Sequence, residues 1–221
     1  MKRIPEPEVM DDKQQSEAYA LADFSDANAL FVDLFVNRFP EFTRGRIADL
    51  GCGPADIPIR LCRALPEITV VACDASPHMI ALARSAVADI GLSDRIEPVA
   101  AALEEFAACG GSFDAVVSNS LLHHLPDPAD LWASAARLAK PGAPLLVMDL
   151  FRPDTPEAAR AIVDASGASE SPLVWEDFYR SLLASYTPGE VAGQIEEAGL
   201  KGMTVQVVSG RHFAAWGRIR T

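Results

Sequence analysis

Residues 47–54 read Ile-Ala-Asp-Leu-Gly-Cys-Gly-Pro, and residues 69–74, which follow an intervening helical segment, read Thr-Val-Val-Ala-Cys-Asp. The apolar residues of both stretches are typical of buried strands. Gly51 and Gly53 between them allow a tight turn and a close approach of the backbone to a ligand. Asp74 ends the second strand, where the ribose of a nucleoside cofactor lies in such strand–turn–helix–strand units. The two stretches therefore predict a nucleoside-cofactor site.

The glycine turn lacks one feature of dinucleotide-binding sequences. The G-x-G-x-x-G pattern would place a third glycine three residues after Gly53, but this position is Asp56. The stretch 48–54 instead resembles the first motif of the class I S-adenosylmethionine (SAM) dependent methyltransferases. Asp49 and Asp74 strengthen the resemblance, because a glycine pair alone is a weak signal. A nicotinamide-dependent oxidoreductase is a remote alternative, which Asp56 disfavours.

Apolar runs alternate with helical segments along the rest of the chain, and this alternation predicts a parallel, doubly wound sheet. The predicted strands cover residues 46–50, 68–73, 95–100, 113–118, 143–150, 203–208 and 213–219. Ser209-Gly210 favours a hairpin between the last two strands. We therefore predict a Rossmann-like α/β fold: a doubly wound sheet of seven strands, mostly parallel with an antiparallel C-terminal strand, and helices on both faces.

Helices are predicted where a capping oxygen precedes a proline, at Ser76-Pro77, Asp127-Pro128 and Thr155-Pro156, and where residues 187–190 form a capping box. Two further helices, over 13–22 and 26–39, are predicted before the sheet. At 221 residues, the chain is expected to form a single methyltransferase domain. Its expected parts are an N-terminal helical lid (1–45), a cofactor-binding core (46–150), a substrate-covering insertion (151–186) and a C-terminal helix with a hairpin (187–221).

Composition and charge narrow the classes of function. The net charge of −12 argues against nucleic acid as a partner, since phosphate backbones are bound by clustered Lys and Arg. No run of eighteen apolar residues predicts a membrane span, and no apolar segment near the N-terminus predicts a secretory signal. The four cysteines lack C-x-x-C or zinc-ligand spacing, so we expect free thiols, no metal and a cytoplasmic location. Oligomeric state is left open.

The resemblance implies a set of SAM contacts. The turn 51–53 would contact the methionine moiety, Asp49 would help to hold its amino group, and Asp74 would accept hydrogen bonds from both ribose hydroxyls. Tyr19 would cover the methionine carboxylate. The full set of implied cofactor-binding residues is Tyr19, Asp49, Gly51, Cys52, Gly53, Asp74, Ala75, Met79, Ala101, Ala102 and Asn119.

Adenine recognition departs from the family pattern. The family often carries an aspartate after the third strand, where it accepts a hydrogen bond from the adenine amino group. Here the corresponding run is Ala100-Ala101-Ala102, so backbone groups, the Leu103 amide or Glu104 would have to take its place.

A second stretch, residues 117–126, reads Val-Ser-Asn-Ser-Leu-Leu-His-His-Leu-Pro and resembles the small-molecule branch typified by ubiquinone and menaquinone methyltransferases. His123 and His124 follow the strand edge where the activated methyl group would point, and either could be a general base. Alternatively, one caps the loop and the other packs against the cofactor pocket. Asp149, at the end of strand five, is a further candidate for catalysis, and either it or Arg152 could orient substrate. The alternative is an ion pair between Asp149 and Arg152, or with another loop.

The insertion 151–186 leaves the sheet at the edge where ligands bind in open α/β folds. Its aromatic and polar side chains predict a cover over the substrate. The candidate substrate-binding residues are Phe151, Arg152, Tyr179 and Tyr186. The alternative is a helical cap that only shields the sheet.

Taken as such a methyltransferase, the chain would transfer a methyl group from SAM to a small-molecule acceptor by in-line displacement and release S-adenosylhomocysteine (SAH). Two alternatives stay open. The chain could bind SAM as a regulatory or partner protein without turnover, or it could use SAM for chemistry other than methyl transfer.

Overall fold

Seven strands form one sheet in the computed structural model, which describes residues 1–6, 24–108, 110, 112–166 and 172–220, with the backbone alone at 172 and 173. In chain order the strands are β1 (Arg44–Leu50), β2 (Glu67–Asp74), β3 (Ile96–Ala100), β4 (Ala115–Asn119), β5 (Pro144–Leu150), β6 (Thr204–Val207) and β7 (His212–Arg218). Their order across the sheet is β3-β2-β1-β4-β5-β7-β6. The neighbours from β3 to β5 are parallel, whereas β7 is antiparallel to both β5 and β6. The predicted mixed sheet and its C-terminal hairpin are confirmed.

Helices follow most of the strands in the described part of the chain. They are α1 (Ser25–Arg38), α2 (Asp56–Ala64), α3 (Pro77–Asp89), α4 (Leu103–Ala108), α5 (Ala129–Leu138), α6 (Pro156–Asp164), α7 (Pro172–Ala184) and α8 (Pro188–Glu197), together with a 3-10 turn at Leu122–His124. The helix predicted over 26–39 is confirmed as α1, one residue earlier. The helix predicted over 13–22 lies outside the described residues.

Strand side chains alternate between two apolar layers, because successive residues of a strand point to opposite faces of the sheet. Ile47 and Val70 belong to the layer that is covered by α1, α2 and α3. Ala48 and Val71 belong to the opposite layer, which is covered by α4, α5 and α8. Helices therefore cover both faces, and the polar ends of the strands are left to form a site.

Side-chain caps begin three helices where the sequence predicts them. Ser76 and Thr155 each accept a hydrogen bond from the third residue after them, and Thr187 forms the reciprocal capping box with Glu190. At Asp127 the prediction is one residue early, since α5 begins at position 129, although the Asp127 carboxylate still accepts from that backbone N–H.

None of the helices in the described ranges combines the length and the apolar character that crossing a bilayer requires.

Candidate active site

A cavity of about 480 Å³ opens at the carboxyl ends of β1, β2 and β4. Parallel strands bring their carboxyl ends to the same edge of a sheet, so residues that are distant in sequence meet there. The predicted cofactor residues that line it are Asp49, Gly51, Cys52, Gly53, Asp74, Ala75, Met79, Ala101, Ala102 and Asn119. Tyr19, the remaining member of the predicted set, lies outside the described residues.

The glycine turn after β1 is held by the end of β2. The backbone N–H groups of Gly51 and Cys52 both donate to the Cys73 carbonyl, at 2.8 and 2.9 Å. Gly51 has φ +74° and Gly53 has φ +51°, a region that glycine adopts without steric cost. A Cβ atom at Gly51 would lie only 2.8 Å from Cδ1 of Leu121. The turn therefore requires glycine for its conformation and for the close approach of the cavity wall.

Asp74 is held in one orientation by two backbone donors. Its Oδ2 accepts from Gly53 N–H at 2.9 Å, and its Oδ1 accepts from Ser76 N–H at 2.8 Å. Burial raises the pKa of Asp74, and these two hydrogen bonds oppose the shift. Each carboxylate oxygen can still accept a second hydrogen bond, so Asp74 presents two acceptor oxygens to the cavity.

Asp49 and Asn119 bring unsatisfied acceptors to the same cavity. Both carboxylate oxygens of Asp49 and Oδ1 of Asn119 are buried without a hydrogen-bond partner in the part of the chain that the structure describes. Burial and then the charge of Asp74 raise the pKa of Asp49 to about 8. Buried acceptors without donors are costly. An ammonium group, with three N–H donors and a positive charge, would satisfy them.

A polar network from α1 and α2 closes one side of the cavity. Asn119 Nδ2 donates to Asn28 Oδ1 at 3.2 Å, and Asn28 Nδ2 donates to Asp56 Oδ2 at 2.7 Å. Arg60 Nε donates to the same Asp56 oxygen at 2.5 Å. Asp56, which takes the position of the missing third glycine, thus joins two helices. Sequence reasoning missed Asn28 and Arg60; the i,i+4 spacing of Asp56 and Arg60 was the one available signal.

The described cysteines are buried, and burial keeps the thiols of Cys52 and Cys73 in their protonated form. Burial raises the pKa of Cys73 to about 12 and raises that of Cys52 well above the usual thiol range. Cys52, Cys62 and Cys73 are free thiols, as predicted for them, and Cys109 lies outside the described residues.

The two histidines of the 3-10 turn occupy different environments. His123 is 3% exposed, and its Nδ1 lies 2.6 Å from Oδ1 of Asp149. Burial favours the neutral imidazole, but the charge and hydrogen bond of Asp149 outweigh it, so the pKa of His123 is raised. His124 lines the cavity, whereas His123 and Asp149 are not part of the described lining.

His124 has a carboxylate partner that the sequence analysis missed. Its Nδ1 lies 2.6 Å from Oε2 of Glu6, and its ring packs on that of His123 with centroids 4.0 Å apart. Burial raises the pKa of Glu6, but the hydrogen bond and the charge of His124 outweigh it and leave that pKa lowered. Nothing in the local sequence marks Glu6, because it reaches His124 only through the fold.

The potential metal-ligand atoms of Glu6, His123 and His124 lie within 4.8 Å of one another, which is close enough for a shared metal ion. Two ligands of one tetrahedral zinc lie roughly 3.3 Å apart, since each is about 2.0–2.1 Å from the metal. The 2.6 Å contact of Glu6 with His124 is shorter and fits a direct hydrogen bond.

The predicted substrate-binding residues lie away from the described cavity lining. Arg152 is 7% exposed, pairs with Glu190 at 2.6 Å and donates to the Ser185 carbonyl at 2.9 Å. The Arg3 guanidinium lies over the Tyr186 ring, 4.1 Å from the ring centroid. Tyr179 stacks on Trp175. Phe151 forms a backbone bridge with Tyr186. The structure shows packing and ion-pair contacts for these residues, and their role in substrate binding stays a prediction.

Sequence relatives identify the family. The family described as a methyltransferase domain matches residues 47–142. The ubiquinone biosynthesis O-methyltransferase of Xanthomonas axonopodis pv. citri is 31% identical over 175 residues, which cover 77% of this chain and 67% of that protein. The corresponding enzyme of Xanthomonas euvesicatoria pv. vesicatoria is 30% identical over 186 residues, covering 82% of this chain and 72% of that protein.

Two solved structures share the fold. A SAM-dependent methyltransferase from Aquifex aeolicus superposes with a TM-score of 0.67 at 19% identity, covering 94% of this chain and 98% of that one. The plantazolicin methyltransferase BpumL in complex with SAH gives a TM-score of 0.72 at 14% identity, covering 93% of this chain and 89% of that one. The glycine turn, the sheet order and the sequence relatives agree with the resemblance found in the sequence, and the chain belongs to the class I SAM-dependent methyltransferases.

Proposed function

We propose that this chain transfers the methyl group of SAM to a nucleophilic atom of a small molecule and releases SAH. One observation carries this proposal. The same cavity holds unsatisfied acceptors on Asp49 and Asn119 and the oriented carboxylate of Asp74. These acceptors match a ligand that presents an ammonium group and two vicinal hydroxyls.

In this proposal three parts of SAM contact residues of the cavity lining. The amino group of the methionine moiety lies against Asp49 and Asn119, and the ribose hydroxyls donate to Asp74. Ala75 and Met79 pack on the adenine, where a polarisable apolar side chain suits a flat ring. When bound, SAM supplies an electrophilic methyl group; the chain orients the acceptor and keeps water from the reacting atoms.

We propose a hydroxyl group on an aromatic small molecule as the acceptor. Two relatives are named for O-methylation in ubiquinone biosynthesis, which favours an oxygen nucleophile. A hydroxyl becomes a better nucleophile as it loses its proton, so a base at the cavity would assist the reaction. His124 lines the cavity and is the proposed general base. The net charge of −12 makes nucleic acid a poor candidate.

The cofactor part of the proposal is tested by titrating SAM, SAH and NAD into the wild-type chain and into Asp74→Asn, using calorimetry. We expect SAM and SAH to bind the wild type and NAD not to bind. Loss of one charge-assisted contact of about 1.5–3 kcal/mol should weaken SAM binding in the variant by roughly 10- to 150-fold. Asp114→Asn is the control, because Asp114 binds Lys140 away from the cavity. Equal SAM affinity in all three proteins would contradict the proposed ribose contact.

Turnover is tested by following SAH while phenols, catechols, amines and thiols are offered as acceptors. SAH formed with a hydroxylated aromatic would support the proposal. Tight SAM binding without SAH from any acceptor would instead favour a regulatory binding protein. Methylthioadenosine as the product would favour chemistry other than methyl transfer.

A further inference from the structure

Residues 1–6, which we call the N-terminal strap, lie across α7 and the histidine turn. The Ile4 N–H donates to the Leu183 carbonyl at 3.0 Å. The Arg3 guanidinium donates to the Ala184 carbonyl at 2.5 Å and to the His123 carbonyl at 3.0 Å. The sequence analysis assigns this segment to the predicted N-terminal helical lid (1–45). These contacts hold residues 1–6 against the elements that carry the histidines.

The strap delivers the Glu6 carboxylate to the edge of the active site. The Glu6 side chain is 13% exposed, and both of its oxygens are engaged. Oε2 lies 2.6 Å from His124 Nδ1, and Oε1 accepts from the Ser181 hydroxyl at 2.8 Å. Ser181 therefore fixes the carboxylate from α7 while the carboxylate meets the histidine.

An ionised carboxylate can only accept hydrogen bonds, so the proton in the Glu6–His124 contact belongs to Nδ1 of the imidazole. In a neutral imidazole with Nδ1 protonated, Nε2 carries a free lone pair. The lowered pKa of Glu6 agrees with an ionised carboxylate at neutral pH. Asp149 makes the equivalent contact with His123, but neither residue belongs to the described lining of the cavity.

We infer that Glu6 is a positioning residue that holds His124 in the tautomer and orientation in which Nε2 can take the proton of the methyl acceptor. This inference rests on the proposed methyl transfer. As the acceptor O–CH₃ bond forms and the S–CH₃ bond breaks, the acceptor proton passes to Nε2. The resulting imidazolium is stabilised by Glu6 and later gives its proton to solvent. The site is therefore incomplete without the strap.

The kinetic test is a double-mutant cycle in the full chain. Glu6→Ala should lower kcat by roughly 10- to 100-fold, a share of what a general base contributes, with SAM affinity unchanged. His124→Ala should cost at least as much, and the double variant should be no slower than His124→Ala. Glu6→Gln keeps an acceptor without the charge and should retain part of the rate. Glu157→Gln, on an exposed residue of α6, is the matched control with wild-type kinetics.

Added acetate or formate should restore part of the rate of Glu6→Ala, which a purely structural loss would not allow. Additive effects of Glu6→Ala and His124→Ala would overturn the inference, since Glu6 would then act independently of His124. Loss of wild-type activity on chelator treatment, with recovery on Zn²⁺ addition, would overturn it too and make the group a metal site.

A second readout does not depend on turnover. Nitrogen-15 NMR of the SAH-bound chain, at a pH where the imidazole is neutral, should show His124 protonated on Nδ1 in the wild type and shifted toward Nε2–H in Glu6→Ala. If no acceptor is methylated but this tautomer change occurs, the proposed function fails while the contact stands. An Nε2–H tautomer in the wild type would overturn the inference itself.

Discussion

Asp149 holds His123 at two points: its Oδ1 lies 2.6 Å from the ring Nδ1, and its Oδ2 accepts from the His123 backbone N–H at 3.2 Å. Both side chains are almost completely buried behind the cavity wall. The pair therefore fixes the turn from which His124 reaches the cavity. Disrupting the pair should first lower the stability of the fold.

Asp149→Asn should destabilise the fold in a pH-dependent way. The raised pKa of His123 means that the folded state binds its proton more tightly than the unfolded state. The contribution is thus complete below the unfolded pKa of about 6.5 and is lost as the pH rises through the folded value. Breaking a buried pair costs about 3–5 kcal/mol. Urea unfolding at low and high pH should show the difference between wild type and variant shrinking as pH rises. The exposed Asp94→Asn is the control, and a pH-independent difference would contradict the prediction.

SAM binding should release a proton near neutral pH. The pKa of Asp49 is raised to about 8, so at pH 7 its carboxyl group is mostly protonated before SAM binds. An ammonium group beside it favours the ionised form, so binding should expel close to one proton and tighten as the pH rises from about 6 to 8. Calorimetry in buffers of different ionisation enthalpy measures this number. Asp49→Asn should abolish it; an unchanged proton count in the variant would assign the proton elsewhere.

Gly51→Ala should disrupt both the turn and the cavity. The backbone has φ +74°, and the added Cβ would lie 2.8 Å from a methyl group of Leu121. We expect a loss of about 1–3 kcal/mol in the free energy of unfolding and a marked loss of SAM affinity. Gly193→Ala is the matched control, because Gly193 lies in α8 with open space at its Cβ. Alanine should stabilise that helix by about 0.5–1 kcal/mol. Equal effects at both glycines would contradict this reasoning.

Arg152→Ala separates the predicted substrate role from a structural one. Its guanidinium meets the Glu190 carboxylate and two carbonyl oxygens, those of Ser185 and Met1. The variant leaves those acceptors unpaired and should lose about 1–3 kcal/mol of stability. SAH affinity and the KM of the acceptor should stay unchanged, because Arg152 is not part of the described cavity lining. A raised acceptor KM without loss of stability would support the substrate role predicted from the sequence.

Much of the fold and the cofactor part of the candidate site could be predicted from short stretches of the chain. The strand pattern, the glycine turn and the carboxylates Asp49 and Asp74 could be predicted from local spacing. Alternating burial along a strand favours apolar residues at fixed intervals, and a positive φ favours glycine. The predicted cofactor residues among the described part of the chain do line one cavity. The capping residues Ser76 and Thr155 could also be predicted, because each directly precedes a proline at the start of its helix.

The insertion 151–186 was harder to interpret. Its aromatic content predicted a cover over the substrate, but composition does not say which way a side chain faces. In the structure Arg152 and Tyr186 turn toward α8 and the strap. Sequence alone could not separate these alternatives, because both bury the same kinds of side chain.

The mixed sheet and the cofactor turn could be predicted from local patterns, because both are built from contiguous residues in which glycine, proline and apolar spacing reflect the backbone conformation. The folded structure was needed to establish which histidine lines the cavity and which carboxylate contacts that histidine. Glu6 and His124 lie far apart in the chain, and their 2.6 Å contact exists because the strap pairs with α7. Contacts of this kind depend on chain closure, for which no local pattern exists.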